Sequence, residues 1–356
     1  MIQARIQKRF SARRESAPFD LDVEFEARAG VTVLFGPSGA GKTLTLDCIA
    51  GFEKPERGRI LIDDRLLFDA ESGAQLSPRQ RNCGYVFQNY ALFPHMTLRR
   101  NLEFAADRIP RLERHRRIND MLEQFRLADV AGRRPQEVSG GQKQRCSIAR
   151  ALIGKPSVLL LDEPARGLDA PLRAELYEVI RQVRADFGTP VVLVTHDVEE
   201  SLELGNEMIV LRDGRIVQCG PARDVVEQPA NADVARLLGI YNVIPAEILG
   251  LDPGRNSSRL RIGEFDIAGP YFPGHLIGDR VQLCAMPSRL TAQPRIGRPG
   301  PHQISARLAR VLPRPARSRL EFDNGVAVEG PAPDAQSSRP GDEWFIEFPP
   351  SALRAV

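Results

Sequence analysis

The chain has 356 residues, more than the roughly 250 to 300 that a single hydrophobic core organises, so at least two units are expected. Its 49 Lys and Arg against 46 Asp and Glu leave a net charge of +3, with the signs interspersed and no aromatic platform beside them, which argues against a nucleic-acid surface. Five scattered cysteines without C-x-x-C spacing exclude a disulfide framework or a zinc site and point to reduced thiols.

The start, Met1-Ile2-Gln3-Ala4-Arg5, lacks the apolar core of a signal peptide, and no run of about 18 apolar residues occurs anywhere. Any membrane role is therefore expected to come through a partner. In chain order, the first strong signal is the apolar run 31–35, followed at once by Gly36-Pro37-Ser38-Gly39-Ala40-Gly41-Lys42-Thr43 and a helix-compatible stretch. In this G-x-x-x-x-G-K-T pattern, glycines let backbone N–H groups curl around phosphate oxygens, Lys42 reaches the terminal phosphates and Thr43 offers its hydroxyl to Mg²⁺. The following helix points its positive end at the anion.

Residues 97–134 are rich in helix formers and read as an inserted helical subdomain. The basic run 108–117 within them is broken by Glu113 and reads as a solvated helix face. The next apolar run, 158–161, ends in Asp162 and Glu163, so a buried strand delivers two carboxylates to the phosphate end of a sheet. Asp162 suits Mg²⁺, and Glu163 suits the polarisation of an attacking water. Helical periodicity over 171–186 and a third apolar run at 191–194 complete an α/β alternation with a largely parallel sheet. Residues 208–211, the turn Asp213-Gly214 and residues 216–219 predict a β-hairpin that closes the sheet.

Beyond Gly239 the pattern changes. Fifteen of the 28 prolines fall in the last 112 residues, and short strands are expected at 242–248, 258–262, 281–285, 304–311, 319–322 and 344–348, as in a small barrel. The Pro/Gly stretch 295–301 reads as a linker dividing this part into lobes at 237–295 and 302–356.

Val138-Ser139-Gly140-Gly141-Gln142 precedes the second apolar strand and resembles the Leu-Ser-Gly-Gly-Gln signature of the ATP-binding cassette (ABC) ATPases. Ser139 and the N–H groups of Gly140 and Gly141 begin a helix able to face a phosphate. The resemblance implies that Ser139, Gly140, Gly141 and Gln142 meet the γ-phosphate of ATP bound to another subunit, so two copies work head to tail. It further implies that Gln88 ligates Mg²⁺ and senses a transmembrane partner, that His196 contacts the γ-phosphate, and that Asp169 lies in a loop crossing the dimer interface. Arg166 departs from the family, which usually has Ser, Ala or Gly there; a long cation at that place retunes dimer closure or contacts phosphate. For the aromatic that stacks on adenine, Phe10 is the first candidate and Phe19 the second, either being equally a core residue.

One cassette with a β-rich tail resembles bacterial import ATPases. Residues 90–98, Tyr-Ala-Leu-Phe-Pro-His-Met-Thr-Leu, look like the importer segment that receives the permease. Leu67-Phe68-Asp69-Ala70-Glu71-Ser72-Gly73, with Leu76-Ser77-Pro78 and Arg81, is similar to molybdate-importer ATPases, as are Phe35 and Ala40 in the nucleotide loop. The tail from Gln303 resembles a molybdopterin-type barrel, in which Ser305 either helps bind an oxyanion or is an ordinary strand residue. The implied fold is an α/β P-loop ABC ATPase domain over 1–236, with an inserted helical subdomain at about 97–150, followed by a small all-β oligomer-binding-like, molybdopterin-type regulatory domain over 237–356. The implied function is the ATP- and Mg²⁺-dependent ATPase of a bacterial binding-protein-dependent importer for molybdate or a related oxyanion. It is expected to be a homodimer, peripheral on the cytoplasmic side of the inner membrane, acting on permease subunits and indirectly on a solute-binding protein. Sulfate, iron or polyamine import, or an ABC ATPase serving a soluble process, are the alternatives.

Overall fold

The computed structural model describes residues 1–10, 18–313, 317–331 and 339–356. The chain divides into two compact units, Met1–Gln228 and Pro229–Val356, where the sequence placed the change at 236/237.

The first unit is built on an eleven-stranded sheet. One half is parallel: Glu207–Arg212, Val31–Phe35, Val191–Thr195, Val158–Asp162 and, at the edge, Cys83–Val86 lie side by side in that order. Every residue of Val31–Phe35, Val158–Asp162 and Val191–Thr195 is buried, as continuous apolar strands covered on both faces must be. The other half is antiparallel. Ile2–Phe10 pairs with Phe19–Ala27 and with Arg57–Ile62, and the ribbon continues through Arg65–Asp69 to Ala74–Gln75. These strands alternate, burying Ile2, Ala4 and Ile6 on one and Leu21, Val23, Phe25 and Ala27 on the next. Their apolar faces join Leu46, Ile49, Leu160 and Val194 in one core.

The hairpin Glu207–Arg212 with Arg215–Pro221 does not close the sheet. It stands in the interior, with Glu207–Arg212 against Val31–Phe35 and Arg215–Pro221 beside Phe19–Ala27. Sheet order is a non-local property, so a hairpin legible from its own turn says nothing about its neighbours.

Helices carry the remaining parts of the site. Lys42–Ala50 starts at Gly41 and stops at Gly51, both in the left-handed region at φ 99° and 87°. Leu98–Ala105 and Arg111–Gln124 form the inserted helical part. Gly140–Leu152 buries Cys146, Ile148, Ala149 and Leu152, and Ala170–Phe187 buries Leu176, Ile180 and Val183. Among the described residues no helix is long and apolar enough to cross a membrane.

The second unit opens with the helix Ala232–Leu238 and contains two five-stranded antiparallel sheets. Asn242–Asp252 pairs with Ser257–Ile262 and Arg280–Ala285, while Gln303–Leu312 pairs with Ser318–Phe322 and Glu343–Glu347. The expected lobes at 237–295 and 302–356 do not match these sheets. Thr291–Pro294 pairs with Glu343–Glu347 of the second sheet, and Arg354–Ala355 returns to Arg280–Ala285 of the first. Ile248, Leu260 and Leu283 share one core with Ile304, Phe322 and Ile346, because two half-buried sheets of this size must cover one another. Asn242, 6% exposed, bridges the sheets: its Nδ2 donates to the Ala327 carbonyl, and the Ala327 N–H donates to its Oδ1, both at 2.8 Å.

Candidate active site

The turn after Val31–Phe35 approaches its neighbour so closely that a side chain at Gly36 would put a Cβ 2.3 Å from the Leu211 carbonyl oxygen. Glycine is the residue that allows this approach. The loop then curls over Lys42, whose Nζ donates to the carbonyls of Gly36 at 2.7 Å and Pro37 at 2.9 Å. Ala40 packs beneath, 2% exposed, and its N–H donates to the Pro37 carbonyl at 3.2 Å. Lys42 is itself 5% exposed. Burial lowers its pKa, and the nearby Glu163 and Asp162 oppose that shift.

A cleft of about 360 Å³ opens over this loop, lined by Phe19, Ser38, Gly39, Gly41, Lys42, Thr43, Leu44, Gln88, Asp162, Glu163 and Arg166. Three strand ends deliver its polar groups. Asp162 ends Val158–Asp162 and accepts from the Thr43 hydroxyl at 3.0 Å. Its pKa is raised by burial, against the Thr43 hydrogen bond and the Lys42 charge. Glu163 follows in the left-handed region at φ 44°, a conformation a non-glycine residue adopts only when its surroundings enforce it. Here its N–H is held by the Val194 carbonyl at 3.0 Å. Gln88, beyond Cys83–Val86, donates through Nε2 to Glu163 Oε2 at 3.3 Å, and His196, beyond Val191–Thr195, places Nδ1 3.4 Å from Glu163 Oε1.

Thus Ser38, Gly39, Gly41, Lys42, Thr43, Gln88, Asp162 and Glu163 come together in one cleft, and His196, which does not line it, reaches it through Glu163. Of the two aromatic candidates, Phe10 is not among the residues lining the cleft. Phe10 and Phe19 are register partners on adjacent strands, yet only Phe19 lines it, with its ring 3.1 Å from where a Cβ on Gly41 would stand. Phe10 is 36% exposed, with Lys8 Nζ 5.2 Å from its ring centre.

Ser139, Gly140, Gly141, Gln142 and Asp169 are likewise absent from the lining. Ser139 caps Gly140–Leu152, accepting from the Gln142 N–H at 3.2 Å while Gln142 Oε1 accepts from the Ser139 N–H at 3.0 Å. Asp169 caps Ala170–Phe187 through the Leu172 N–H at 3.1 Å. The two helices abut at Gly141, where a Cβ would lie 2.8 Å from Leu172 Cδ2.

Sequence reasoning missed two features of this region. Ser147 and Arg150 on Gly140–Leu152 donate to the carbonyls of Tyr90 and Ala91, at 2.8 Å from Ser147 Oγ and 2.7 Å from Arg150 Nη1, tying that helix to the segment after Gln88. The other is Glu200, on the helix Val198–Leu204 that follows His196, 2% exposed with Oε1 unpartnered. Its pKa is pushed up to about 7, chiefly by burial, against a hydrogen bond from Thr195. The acidic turn 197–200 is visible in the sequence, but its burial is a tertiary fact.

The donor set fits a nucleotide with Mg²⁺. A hydroxyl, a carboxylate and an amide oxygen are hard ligands of the kind that ion takes. Among the described residues no group of three or more His, Cys, Asp or Glu could hold a metal alone, and Mg²⁺ at such sites draws further oxygens from phosphate.

Residues 21–166 match the ABC transporter family model. The chain is 39% identical over 239 residues to the molybdenum import ATP-binding protein ModC of Rhodospirillum rubrum, covering 67% of this chain and 65% of that one. It is 38% identical over 292 residues to the spermidine/putrescine import ATP-binding protein PotA of Vibrio cholerae, covering 80% and 74%. A solved dimeric ATP-binding cassette in a post-hydrolysis state with ADP and Pi superimposes with a TM-score of 0.53 at 28% identity, over 63% of this chain and 99% of that one.

Proposed function

The chain belongs to the ABC transporter family of ATP-binding ATPases, and from that premise we propose that it is the ATP-hydrolysing subunit of a bacterial importer. The observation that carries this reading is the convergence of Thr43, Gln88, Asp162 and Glu163 on one cleft over the Gly36–Thr43 loop. Lys42 exchanges its loop carbonyls for the terminal phosphates, and loop N–H groups receive the remaining oxygens. Thr43, Gln88 and Asp162 would hold Mg²⁺, which when bound neutralises charge on the phosphate oxygens. Glu163 orients the attacking water and His196 steadies the γ-phosphate side of the same carboxylate. Phe19 takes the base in place of Phe10.

Two copies act together, head to tail. Ser139, Gly140, Gly141, Gln142 and Asp169 stand outside their own chain's cleft, which supports their use in completing the cleft of a second copy. The segment 88–98 receives a transmembrane permease, and its hydrogen bonds to Ser147 and Arg150 give dimer closure a path to that partner. A solute-binding protein delivers cargo to the permease, and the chain sits on the cytoplasmic face of the membrane as a peripheral subunit.

Molybdate or a related oxyanion is the proposed cargo, on the 67–81 segment and the molybdenum importer among the relatives. The polyamine importer among them favours a second reading. The test is uptake in cells lacking this chain. Loss of molybdate uptake, restored by the wild type and not by Lys42→Ala, is expected; intact molybdate uptake with lost polyamine uptake would reverse the choice. An oxyanion at the second unit is proposed as feedback, for which titration calorimetry of the full chain with molybdate and with sulfate is the check.

A further inference from the structure

Glu163 and Arg166 are the two ends of one tight turn. The Arg166 N–H donates to the Glu163 carbonyl at 3.1 Å, Pro164 stands directly after Glu163, and Gly167 leaves the turn at φ 75°. A turn closed in this way folds the fourth side chain back toward the first. At this position a serine would end short of the carboxylate. Arginine reaches it, with Nη1 3.1 Å from Glu163 Oε2.

That same Oε2 accepts from Gln88, and Oε1 faces His196. Oε2 therefore carries two donors of the chain itself, Gln88 and Arg166, while Oε1 stands beside the imidazole. A carboxylate that positions a water must present a free lone pair in the direction of the phosphorus. Gln88 and His196 belong to the machinery around the nucleotide. Arg166 lines the same cleft but is open to solvent, with its side chain 62% exposed against 14% for Glu163.

We infer that Arg166 is a positioning residue that restrains Glu163, and that hydrolysis proceeds once the guanidinium has swung away. The inference rests on the reading of Glu163 as the water-orienting carboxylate. The restraint is a weak one, because an ion pair with one half-exposed member is worth little against solvent. It therefore sets the idle rate of the cassette and does not block turnover.

The test is steady-state ATP hydrolysis by the full chain. Arg166→Ser is expected to raise kcat about two- to fivefold, the range an exposed ion pair can carry, with KM for ATP unchanged. Arg166→Lys, which keeps a cation within reach, should stay near the wild-type rate, and both variants should melt at the wild-type temperature. In a Glu163→Gln background, Arg166→Ser should change nothing. An unchanged or lowered kcat in Arg166→Ser, or a raised KM marking a phosphate contact, overturns the inference. A Glu163→Gln variant that hydrolyses at the wild-type rate would instead remove the role of Glu163, an outcome separate from anything the Arg166 single variants report.

Discussion

The Thr43 hydroxyl donates to Asp162 Oδ1 at 3.0 Å, across 119 residues of sequence. It joins the first turn of the helix after the glycine loop to the end of the buried strand Val158–Asp162, so the two groups proposed to share Mg²⁺ are held in register. Thr43→Val keeps the shape and removes the oxygen. ATP affinity measured with Mg²⁺ should fall about tenfold, equivalent to roughly 1.4 kcal/mol, while affinity in excess chelator stays the same. Equal losses under both conditions would mean that Thr43 serves the fold and not the ion.

Glu200 predicts a pH dependence of stability. Its carboxyl is raised to about 7 in the folded chain, with burial as the largest cause and with Asp197, Arg173 and Glu163 as its charged neighbours. A raised folded-state pKa means that the native state holds the proton longer than the unfolded state, so this contribution is complete at acid pH. It is lost as pH climbs from the ordinary glutamate range to about 7. Glu200→Gln should remove that slope, leaving stability alike near pH 4.5 and higher than wild type by about 1–3 kcal/mol at pH 8. Urea unfolding across that pH range measures it, and parallel curves for the two proteins would contradict the assignment.

Arg81 predicts a large cost without loss of chemistry. It is 1% exposed and has carbonyls for partners: Nη1 donates to Cys48 at 2.6 Å and Ile49 at 2.8 Å, and Nε donates to Leu76 at 3.0 Å. The first two are orphan carbonyls at the end of the Lys42–Ala50 helix, so a cation there both caps and complements the helix dipole. Arg81→Met should cost about 2–4 kcal/mol by stranding those oxygens, and Arg81→Lys should not recover it, since one ammonium cannot span three carbonyls as a planar fork does. A urea midpoint within error of wild type for Arg81→Met would refute this role.

How much was legible in the sequence follows from the kind of constraint each residue obeys. The loop 36–43 and the pair Asp162 and Glu163 could be read because their chemistry needs fixed residue types at fixed spacing next to apolar strands. Phe10 and Phe19 could not be ranked: both precede the loop, and as register partners they share one face of the sheet, so the order of their strands decides which one reaches the cleft. Arg166 stood out by residue type, yet its partner depends on a turn closing over three residues. The burial of Glu200, Arg81 and Asn242 gave no signal, because a buried polar group looks in sequence like an exposed one. The β lobes were misplaced for a similar reason: Arg354–Ala355 returns to the first sheet from the far end of the chain, and no local pattern records such a return.

The most direct test of the whole account is single-turnover hydrolysis by Glu163→Gln. Gln88, Arg166 and His196 all converge on this side chain, and the amide keeps its shape while removing its charge. The account predicts that the variant binds ATP as tightly as wild type, accumulates as a nucleotide-bound dimer in size-exclusion chromatography, and loses on the order of 10²-fold or more in hydrolysis rate. Hydrolysis at the wild-type rate with normal ATP binding would contradict it, and the water-orienting group would have to be sought elsewhere in the cleft.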